Sequence, residues 1–434
     1  MKIHFIGIGG IGVSALAQYY LAKGHQVSGS DLVRSEIVDL LEKKGAKLLK
    51  RVPKDVDLVI YSPAVSKPPA GAKSYPEALG ELTKKYLTIA VSGTHGKSTT
   101  TAMIALILIK AGLDPTVIIG TKLKEFGNSN FRMGKSKYLI IEADEWQASF
   151  LNYWPKIIVL TNIEREHLDY YKDLGHILRT YKEYISHLPK NGVLVANGED
   201  KNINKIFNFP PPFCKRAGFN KFSIINFQNR KLKDAPRLRK ILRIPGEHNV
   251  LNALAALKVA RALKIPDKIS FEALSEYKGA WRRFEEKDLK IKNLKLKIIS
   301  DYGHHPTEIE ATLKAARQKF PREKIWCIFQ PHQYQRTFYL FDDFVRVFSK
   351  APIDKLIITD IYDVAGREKK EIKKKINSAK LVGAIRNSNR LFARDVIYLS
   401  NFKKIKNYLK EDLKTGEVVI IMGAGDIYNF SLQM

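Results

Sequence analysis

Residues 91–101 read VSGTHGKSTTT, and this stretch decides the fold of the chain around it. An apolar strand runs into a turn that contains Gly93 and Gly96, and Lys97 with four hydroxyl residues then begins a helix. Such a turn frees backbone N–H groups to face anionic oxygens, the helix start adds its positive dipole, and the lysine supplies a full charge. The stretch therefore predicts a phosphate site, with Ser98 placed to reach a Mg²⁺ ion that bridges the phosphates.

The flanking sequence supplies the strand and the helix that a phosphate-binding loop requires. YLTIAV (residues 86–91) is typical of a buried strand, and TTTAMIALILIKAG (residues 99–112) is typical of a helix. Because Val91 stands where the long form of the motif has its first glycine, the match is to a shortened G-x-x-G-K-S form. The alternative is a glycine-capped surface turn before a buried helix, which would bind no ligand.

Chain length and composition limit the number of domains and the class of protein. A chain of 434 residues exceeds what one hydrophobic core usually serves, and about 150 residues per domain suggests roughly three domains. No uninterrupted apolar run reaches the ~20 residues that span a bilayer, so we expect no membrane insertion. The glycines within residues 1–17 argue against a signal peptide, and the two cysteines, Cys214 and Cys327, form no metal-binding pattern. These features favour a cytoplasmic protein without a disulfide framework or a zinc site.

The chain is strongly basic, with 74 lysine and arginine residues against 44 aspartate and glutamate residues and a formal net charge of +30. This excess favours anionic partners, which include nucleic acid, anionic lipid and phosphorylated small molecules. Residues 201–243 interleave basic and aromatic side chains, as a surface that stacks on nucleic-acid bases would do. We interpret them instead as an amphipathic sheet with aromatic residues inside and lysines outside, so no nucleic-acid partner is expected.

A second glycine-rich turn lies near the N-terminus. The strand KIHFIGIG (residues 2–9) leads into a helix that stops at Gly24, and a second strand ends at Asp31. The turn contains Gly7, Gly9, Gly10 and Gly12, and three of these satisfy G-x-G-x-x-G. Because Asp31 is near the position of an acidic ribose ligand, the unit taken by itself predicts a site for NAD or FAD.

Strand and helix patterns alternate along the whole chain. We predict an α/β protein of three domains: a Rossmann-like N-terminal domain over residues 1–86, a central P-loop ATPase-like domain over 87–278, and a Rossmann-like α/β C-terminal domain over 279–434. Further expected elements are strands near 116–119, 138–142, 157–161 and 193–196, and helices over 306–319 and 338–350. Three such modules with phosphate-binding turns suggest an enzyme that brings separate ligands together.

Acidic residues follow the apolar strand YLIIE. Glu142, Asp144 and Glu145 stand at its carboxyl end, where open α/β sheets place their ligands and where carboxylates make good metal positions. The next strand ends shortly before His167, so His167 would lie near Glu142 if the two strands are neighbours. A lone histidine is nevertheless more often structural than a ligand.

Polar clusters also occur later in the chain. His248, Asn249 and Asn252 stand in the first turn of a long Ala/Leu helix, where they would recognise a base edge or cap the helix, although capping explains one of them and not three. Arg282 and Arg283 lie at a domain junction, suited either to a transferring phosphoryl group or to a surface ion pair. In the last module Asp301, His304 and His305 follow one strand, and His332 and Arg336 follow another.

Eight stretches together resemble the Mur ligase family across essentially the whole chain. They are IGIGGIGVSALA, SGTHGKSTTT, EADE with SFL shortly after, TNIEREHLD, PGEHNVLNA, WRRFE, DYGHHPTE and MGAGD, in this order. The resemblance implies an ATP-dependent ligase that adds L-alanine to the lactyl carboxylate of UDP-N-acetylmuramate through an acyl phosphate, in peptidoglycan precursor synthesis. A related Mur ligase that uses another amino acid or a murein tripeptide is the alternative.

The resemblance also assigns roles, with ATP and Mg²⁺ as cofactors and a monomer or weak homodimer as the assembly. ATP would be bound by Gly93, Thr94, His95, Gly96, Lys97, Ser98, Thr99, His248, Asn249, Asn252 and Asp301. The metal would be held by Ser98, Glu142 and His167. The catalytic residues would be Lys97, Arg283 and His167. The substrates would be bound by Gly7, Gly9, Gly10, Gly12, Asp31, Asp144, His304 and Arg336, so that the N-terminal turn holds UDP and not a dinucleotide.

Two departures from the family pattern concern the substrates. Gln333 stands where the family's alanine ligases usually carry an arginine, which leaves the choice of amino acid open, and residues 65–75 form a shorter segment than usual beside the UDP-sugar site.

Two rival functions also follow from the residues. They are an NAD-dependent oxidoreductase, from the N-terminal fingerprint, and an ATP-switched nucleic-acid binder, from the charge.

Overall fold

The computed structural model describes residues 1–207, 222–227, 233–291, 294–364, 368, 370–388 and 395–434. The chain divides into two compact units. The first comprises Met1–Glu164, Leu174–Leu242 and Val250–Ala280, and the second comprises Arg165–Asp173, Arg243–Asn249 and Trp281–Met434. Much of the basic aromatic segment within 201–243 lies outside the described residues, so its interpretation as an amphipathic sheet stays a prediction.

The first unit begins with a parallel sheet in which the described strands take the order β3-β2-β1-β4-β5. Its elements are β1 (Lys2–Ile6), α1 (Ile11–Ala22), β2 (Gln26–Ser30), α2 (Glu36–Lys43), β3 (Lys47–Leu48), β4 (Leu58–Tyr61), β5 (Lys73–Ser74) and α3 (Tyr75–Thr83). Helix α3 begins with a capping box, in which Ser74 and Glu77 exchange side-chain and backbone hydrogen bonds. The N-terminal glycine turn joins β1 to α1, as the sequence predicted.

The second sheet of this unit has the described order β12-β11-β10-β6-β9-β7-β8. Its elements are β6 (Leu87–Ser92), α4 (Lys97–Lys110), β7 (Thr116–Leu123), β8 (Ser129–Arg132), β9 (Tyr138–Glu142), β10 (Ile157–Leu160), α5 (Leu174–Ser186), β11 (Val193–Asn197), α6 (Lys201–Phe207), β12 (Ser223–Phe227), α7 (Asp234–Ile241), α8 (Glu247–Ala262) and α9 (Asp267–Glu276). Short 3₁₀ turns occupy Lys124–Phe126 and Trp146–Asn152. Strand β6 carries the phosphate-loop candidate and is central, with β9 and β10 on either side.

A buried polar network joins α1 to β8 within the first unit. The Asn130 amide donates to the Ile11 carbonyl at 2.5 Å and to Ser14 Oγ at 2.9 Å, and it accepts from the Gln18 amide at 2.8 Å. Ser129 Oγ donates to Gln18 Oε1 at 2.9 Å. Because these groups satisfy one another where water is excluded, they fix α1 of the first sheet against the hairpin of the second.

The second unit contains a sheet in which the described strands take the order β13-β14-β18-β15-β16-β17. Its elements are β13 (Glu285–Ile291), β14 (Leu294–Asp301), α10 (Pro306–Lys319), β15 (Ile325–Phe329), α11 (Tyr334–Tyr339), α12 (Phe341–Ser349), β16 (Lys355–Ile358), α13 (Lys370–Lys375), α14 (Ser378–Asn387), β17 (Val396–Tyr398), α15 (Phe402–Asp412), β18 (Val418–Met422) and α16 (Ile427–Leu432). Apolar clusters cover both faces of this sheet, which explains why β15 and β18 are apolar along their whole length.

The prediction of an α/β protein with three sheet-forming modules is confirmed, while the domain boundaries stay predictions. The strand order places β6 between β9 and β10, so the strands before Glu142 and His167 are not neighbours, and the condition on which His167 was expected near Glu142 is not met. The helix expected over 338–350 is also divided, because Leu340 has a non-helical backbone with φ −110° and ψ 21° and lies in the core. None of the described helices is long and apolar enough to cross a membrane.

Candidate functional site

The phosphate-loop candidate is a turn between β6 and α4 that only glycine allows at two positions. Gly93 has φ +125°, and a Cβ there would lie 2.1 Å from Thr161 Oγ1. Gly96 has φ +82°, and a Cβ there would lie 2.4 Å from Asn252 Oδ1. Helix α4 begins directly afterwards at Lys97. The left-handed turn therefore ends in a helix start that faces the same side as the loop, which is the geometry of an anion cradle.

Thr161 and Asn162, the two residues that follow β10, hold this loop in place. The His95 N–H donates to Asn162 Oδ1 at 2.8 Å, and the Thr94 N–H donates to the Asn162 carbonyl at 3.0 Å. Thr161 Oγ1 donates in turn to the His95 carbonyl at 2.7 Å. The sequence analysis assigned no role to Thr161 or Asn162. The signals for them were their place at the carboxyl end of a buried strand and their position at the start of the TNIEREHLD stretch.

Lys97 is partly buried and surrounded by acceptors. Its ammonium donates to Glu145 Oε2 at 2.8 Å, to the Gly93 carbonyl at 2.7 Å and to the Thr94 carbonyl at 3.2 Å. Burial by itself would lower the pKa of Lys97, but the nearby carboxylates, Glu145 first, outweigh it and raise that pKa. Lys97 therefore keeps its positive charge inside the loop at neutral pH, and Glu145 is its charge partner.

Ser98 and Glu142 meet as the sequence suggested. Ser98 Oγ donates to Glu142 Oε2 at 3.1 Å, and the Gly120 N–H donates to Glu142 Oε1 at 2.6 Å. Gly120 also keeps the space clear, since a Cβ there would lie 2.9 Å from the same carboxylate. A hydroxyl oxygen and a carboxylate oxygen side by side at the edge of a phosphate cradle are the hard donors that Mg²⁺ prefers. The residues present thus fit a magnesium ion.

Thr99 and the next hydroxyl residues lie buried in the first turns of α4, where Thr100 Oγ1 donates to Asn252 Oδ1 at 3.2 Å. Asn252 therefore braces the loop from α8. His248 and Asn249 belong to the second unit. The Asn249 amide donates to the Pro245 carbonyl at 2.6 Å, and burial lowers the pKa of His248 to about 4. A neutral imidazole at pH 7 suits recognition of a base, as the resemblance implied.

The N-terminal turn is also a cradle, and the charged side chain bonded to it is a carboxylate. Gly7 has φ +76°, and a Cβ there would lie 2.8 Å from Ser62 Cβ. The Gly10 N–H donates to the Gly7 carbonyl at 3.2 Å, which closes the turn. The carboxylate of Asp31 accepts from the Gly9 N–H at 2.8 Å. Asp31 is thus placed at the turn, as predicted, and its negative charge lies where a ligand approaches.

Asp144 begins an irregular segment between the two sheets of the first unit. Its carboxylate accepts from the Trp146 N–H at 3.2 Å. Gln147 and Ala148 then adopt left-handed backbone conformations, with φ of 50° and 53°. Consecutive non-glycine residues in this region are costly and mark sites where geometry is imposed by function. The segment lines a cavity of about 410 Å³ together with residues that follow β4 and begin α3.

Arg282 and Arg283 have different environments in the second unit. Arg282 is buried, donates to the Gly423 carbonyl at 2.5 Å, and lies 4.8 Å from the ring centres of Tyr302 and Tyr428. Burial lowers its pKa. Arg283 is only partly buried, with its guanidinium 5.0 Å from the Tyr302 ring. The first arginine is a structural member of this unit, and the second is the one accessible to a ligand.

Asp301 is a structural anchor in this unit. Its two carboxylate oxygens accept from the Phe284 N–H and the Gly303 N–H, each at 2.8 Å, and from Thr312 Oγ1 at 3.3 Å. Burial raises its pKa, more than the nearby Arg283 lowers it. These bonds tie the WRRF segment to the end of β14, and a role of Asp301 in ATP binding stays a prediction.

Glu166 and Arg336 form a buried ion pair in the second unit. Arg336 donates to Glu166 Oε1 from Nε at 3.0 Å and from a terminal nitrogen at 2.6 Å. Burial alone would raise the pKa of Glu166, but Arg336, followed by His167 and His305, lowers it well below its usual range. The sequence analysis named Arg336 without this partner, because Glu166 is 170 residues away in the chain. A small cavity beside the pair is also lined by His167 and Gln333.

His304 and His167 complete the predicted set. Burial lowers the pKa of His304 to about 4, and its Nδ1 lies 3.1 Å from the Tyr302 carbonyl and 3.3 Å from Glu308 Oε2. The neighbouring His305 caps α10 and accepts from the Thr307 N–H. His167 has a left-handed φ of 54° within a segment of the second unit, so its role as a metal ligand stays a prediction.

Comparison with known proteins shows similarity over the whole chain. Residues 2–86 match the model described as "Mur ligase family, catalytic domain", residues 91–260 the "Mur ligase middle domain", and residues 282–425 the "Mur ligase, glutamate ligase domain". UDP-N-acetylmuramate–L-alanine ligases of Acetivibrio thermocellus and Clostridium tetani are 41% and 42% identical to this chain, over 98% of it and 94% and 96% of their own lengths. The crystal structure of a UDP-N-acetylmuramate-alanine ligase from Thermotoga maritima matches with a TM-score of 0.78 at 25% identity, over 100% of this chain and 98% of that one.

Proposed function

The chain belongs to the Mur ligase family, and we propose that it is an ATP-dependent ligase that joins L-alanine to the lactyl carboxylate of UDP-N-acetylmuramate in peptidoglycan precursor synthesis. Support comes from the family models, which together span most of the chain, and from relatives of this name at about two-fifths identity. The family membership leaves the oxidoreductase and the nucleic-acid binder without further support.

The observation that carries the proposal is the arrangement at the turn after β6, where Lys97 pairs with Glu145 and Ser98 contacts Glu142. A partly buried lysine charge at the start of α4 suits the β- and γ-phosphates of ATP. The carboxylate of Glu145, 2.8 Å from the Lys97 ammonium, keeps Lys97 protonated. When ATP binds, a phosphate would replace Glu145 as the partner of Lys97. The loop is therefore charged and held in place before the nucleotide binds.

The chemistry needs ATP because a carboxylate does not react with an amine at neutral pH. A lactyl carboxylate oxygen attacks the γ-phosphorus, the bond to the β-phosphate oxygen breaks, and ADP leaves. The alanine nitrogen then attacks the acyl carbon, inorganic phosphate departs with the C–O bond electrons, and the nitrogen loses a proton. In this scheme Lys97 neutralises charge on the phosphates and Arg283 does so on the transferred phosphoryl group.

Magnesium is part of the proposal, because the donor set at Ser98 and Glu142 fits it. When bound, the ion would neutralise charge on the phosphate oxygens. Glu142 is kept ready by the Gly120 N–H, which donates to its other oxygen at 2.6 Å. His167 is proposed as a further ligand on the resemblance alone.

His304 and Arg336 are proposed to hold the incoming amino acid. Because burial lowers the pKa of His304 to about 4, its ring is neutral near pH 7 and does not repel an ammonium group. Arg336 is paired with Glu166 in this structure, so an amino-acid carboxylate would share or replace that partner. Gln333 lines the same small cavity as Arg336. We therefore propose that Gln333 contributes to the selection of L-alanine.

An assay of phosphate release tests the function. The purified protein is incubated with ATP, Mg²⁺ and UDP-N-acetylmuramate, and L-alanine, glycine, L-serine or a murein tripeptide is added in parallel. We expect release only when both substrates are present, with L-alanine the best acceptor by kcat/KM. A preference for the tripeptide would support the related recycling ligase, and release that is independent of the sugar nucleotide would refute the proposal.

Assembly and location belong to the same proposal. We expect a monomer or weak homodimer, which size-exclusion chromatography with light scattering would measure across a range of concentrations. We also propose that the enzyme works in the cytoplasm, where ATP is available. The one cysteine that the described residues contain, Cys327, is buried and unpaired, as is usual in a reducing compartment.

A further inference from the structure

We propose that the Tyr75 hydroxyl binds the hexosamine portion of the sugar nucleotide, between the two glycine-rich turns. This inference rests on the proposed function for the identity of the ligand. It concerns a residue for which neither the motifs nor the family resemblance suggested a role. Three observations within the first unit carry it: the place of the ring, the place of the hydroxyl, and the lack of a protein partner for that hydroxyl.

The Tyr75 ring lies directly on the N-terminal turn. A Cβ added to Gly12 would be 2.8 Å from Tyr75 Cζ and 2.9 Å from the Tyr75 oxygen. Since real Cβ atoms do not approach other atoms this closely, glycine at position 12 is what allows the ring to sit against α1. The backbone of Tyr75 is also fixed, because it is the first residue of α3 and follows the capping box at Ser74.

The other neighbours of the tyrosine belong to the ATP side of the unit. Burial raises the pKa of Tyr75, and the carboxylates of Glu142 and Asp144 raise it further. Glu142 in turn accepts from Ser98 at the phosphate loop. The order Gly12, Tyr75, Glu142, Ser98 thus leads from one cradle to the other, and the phenol stays protonated as a hydrogen-bond donor at neutral pH.

The hydroxyl has no hydrogen-bond partner among the residues that the structure describes, although the tyrosine is partly buried. A polar group held in a fixed position without a protein partner is available to a ligand. A substrate with its diphosphate at the N-terminal turn and its carboxylate at the phosphate loop has only its sugar ring between them. The geometry therefore assigns the hydroxyl to a hydroxyl or amide oxygen of the hexosamine.

The test compares two ligands on one pair of proteins. Dissociation constants of UDP and of UDP-N-acetylmuramate are measured by calorimetry, without ATP, for the wild type and for Tyr75→Phe. The variant keeps the ring on Gly12 and removes only the oxygen. We expect affinity for UDP-N-acetylmuramate to fall roughly 3- to 10-fold, the usual value of one hydrogen bond, while affinity for UDP is unchanged. The melting temperature should not change, because no protein bond is lost.

Tyr138→Phe is the matched control, because Tyr138 begins the same strand that ends at Glu142 and its hydroxyl also has no partner among the described residues. It should leave both affinities unchanged. Gln147→Ala tests the competing position for the sugar, the cavity of about 410 Å³. Equal losses for UDP and UDP-N-acetylmuramate in Tyr75→Phe, no loss at all, or a sugar-specific loss only in Gln147→Ala would each overturn the inference.

The proposed function can fail separately from this inference. If the wild type releases no phosphate with UDP-N-acetylmuramate and L-alanine, the reaction assignment is wrong whatever the binding data show. If the wild type turns over but Tyr75→Phe distinguishes the two ligands as well as the wild type does, the reaction assignment stands and the role of Tyr75 is wrong.

Discussion

The two glycine-rich turns of the first unit share a backbone plan and differ in charge. Both follow a central parallel strand and open a helix, and both begin with a left-handed glycine, Gly7 in one and Gly93 in the other. The first turn has a carboxylate, Asp31, bound to the Gly9 N–H. The second has the partly buried cation Lys97. A strand, turn and helix can therefore hold an anion in either place, but only the second turn can stabilise charge that develops during phosphoryl transfer.

The turns are also braced in similar ways by asparagine side chains from elsewhere in the unit. Asn130 donates to the Ile11 carbonyl at the start of α1, and Asn162 accepts from the His95 N–H in the second turn. The bracing positions each cradle, while the residues that follow the glycines determine its chemistry. This comparison yields four predictions.

Loss of the cation should have the largest effect. Lys97→Ala should lower kcat at least ~10²-fold, because charge on the β- and γ-phosphates would lose its fixed partner. Lys110→Ala is the matched control, since Lys110 ends the same helix and pairs with Glu276 near the surface. It should leave kcat within about 2-fold. A normal rate in Lys97→Ala would remove the distinction between the two turns.

Adding a methyl group should disturb the second turn more than the first. Gly93→Ala should destabilise the protein by at least about 2 kcal/mol, because its φ is +125° and the new Cβ meets Thr161 and the backbone of Asn162. Gly12→Ala should cost about 1 kcal/mol, since the three atoms nearest to its added Cβ all belong to the Tyr75 side chain, which can shift more easily than backbone.

Thermal unfolding of both variants measures this difference. Gly383→Ala on α14 is the control, because among the described residues no atom outside the neighbouring helix backbone lies within 4 Å of its added Cβ, and helices favour alanine. The reverse order of stability for the two variants would show that the first turn is the more tightly constrained one.

Replacing Asn130, which braces the first turn, should change the KM of only one substrate. Asn130→Leu leaves Gln18 and Ser14 without their buried partner, so we expect a loss of about 1–3 kcal/mol in the free energy of unfolding. The KM for UDP-N-acetylmuramate should rise while the KM for ATP stays the same. Ser129→Ala, which removes a single bond of this network, should show a smaller change of the same kind. An equal rise in both KM values would mean that the cradles are not independent.

The charge at the first turn should matter least. Asp31→Asn keeps an acceptor for the Gly9 N–H but makes it neutral and therefore weaker. We expect the KM for UDP-N-acetylmuramate to rise about 2- to 5-fold, with the KM for ATP unchanged. Steady-state kinetics with each substrate varied in turn would measure this. A rise of more than ten-fold would give Asp31 a larger role than the comparison allows.

Much of the first unit was predictable because its signals are local. Gly93, Gly96 and Lys97 are adjacent in the chain, and their types alone require a left-handed turn, a helix start and a charge. The family resemblance had assigned Ser98 and Glu142 to one metal ion, and their side chains do meet. His167 was expected near Glu142 only if their strands were neighbours. Because β6 lies between the two strands, that argument does not apply, and the role of His167 stays a prediction.

The residues that were missed act over long distances in the chain. Asn162 braces the loop at His95 from 67 residues away, and Glu166 pairs with Arg336 from 170 residues away. Neither belongs to a pattern with its partner. Arg282 and Arg283 are adjacent and chemically identical, and only their burial separates the structural one from the accessible one.

The amino-acid sequence by itself determined the α/β class, the two cradles and the family, because these depend on residue types at short spacing, where backbone geometry follows from local sterics and hydrogen bonding. The tertiary structure alone decided the strand order, the charge partner of Lys97, the buried pair of Glu166 and Arg336, and the place of Tyr75 over Gly12. These depend on which distant surfaces pack together to exclude water. That choice is made by the free energy of the whole core and not by any single stretch of chain.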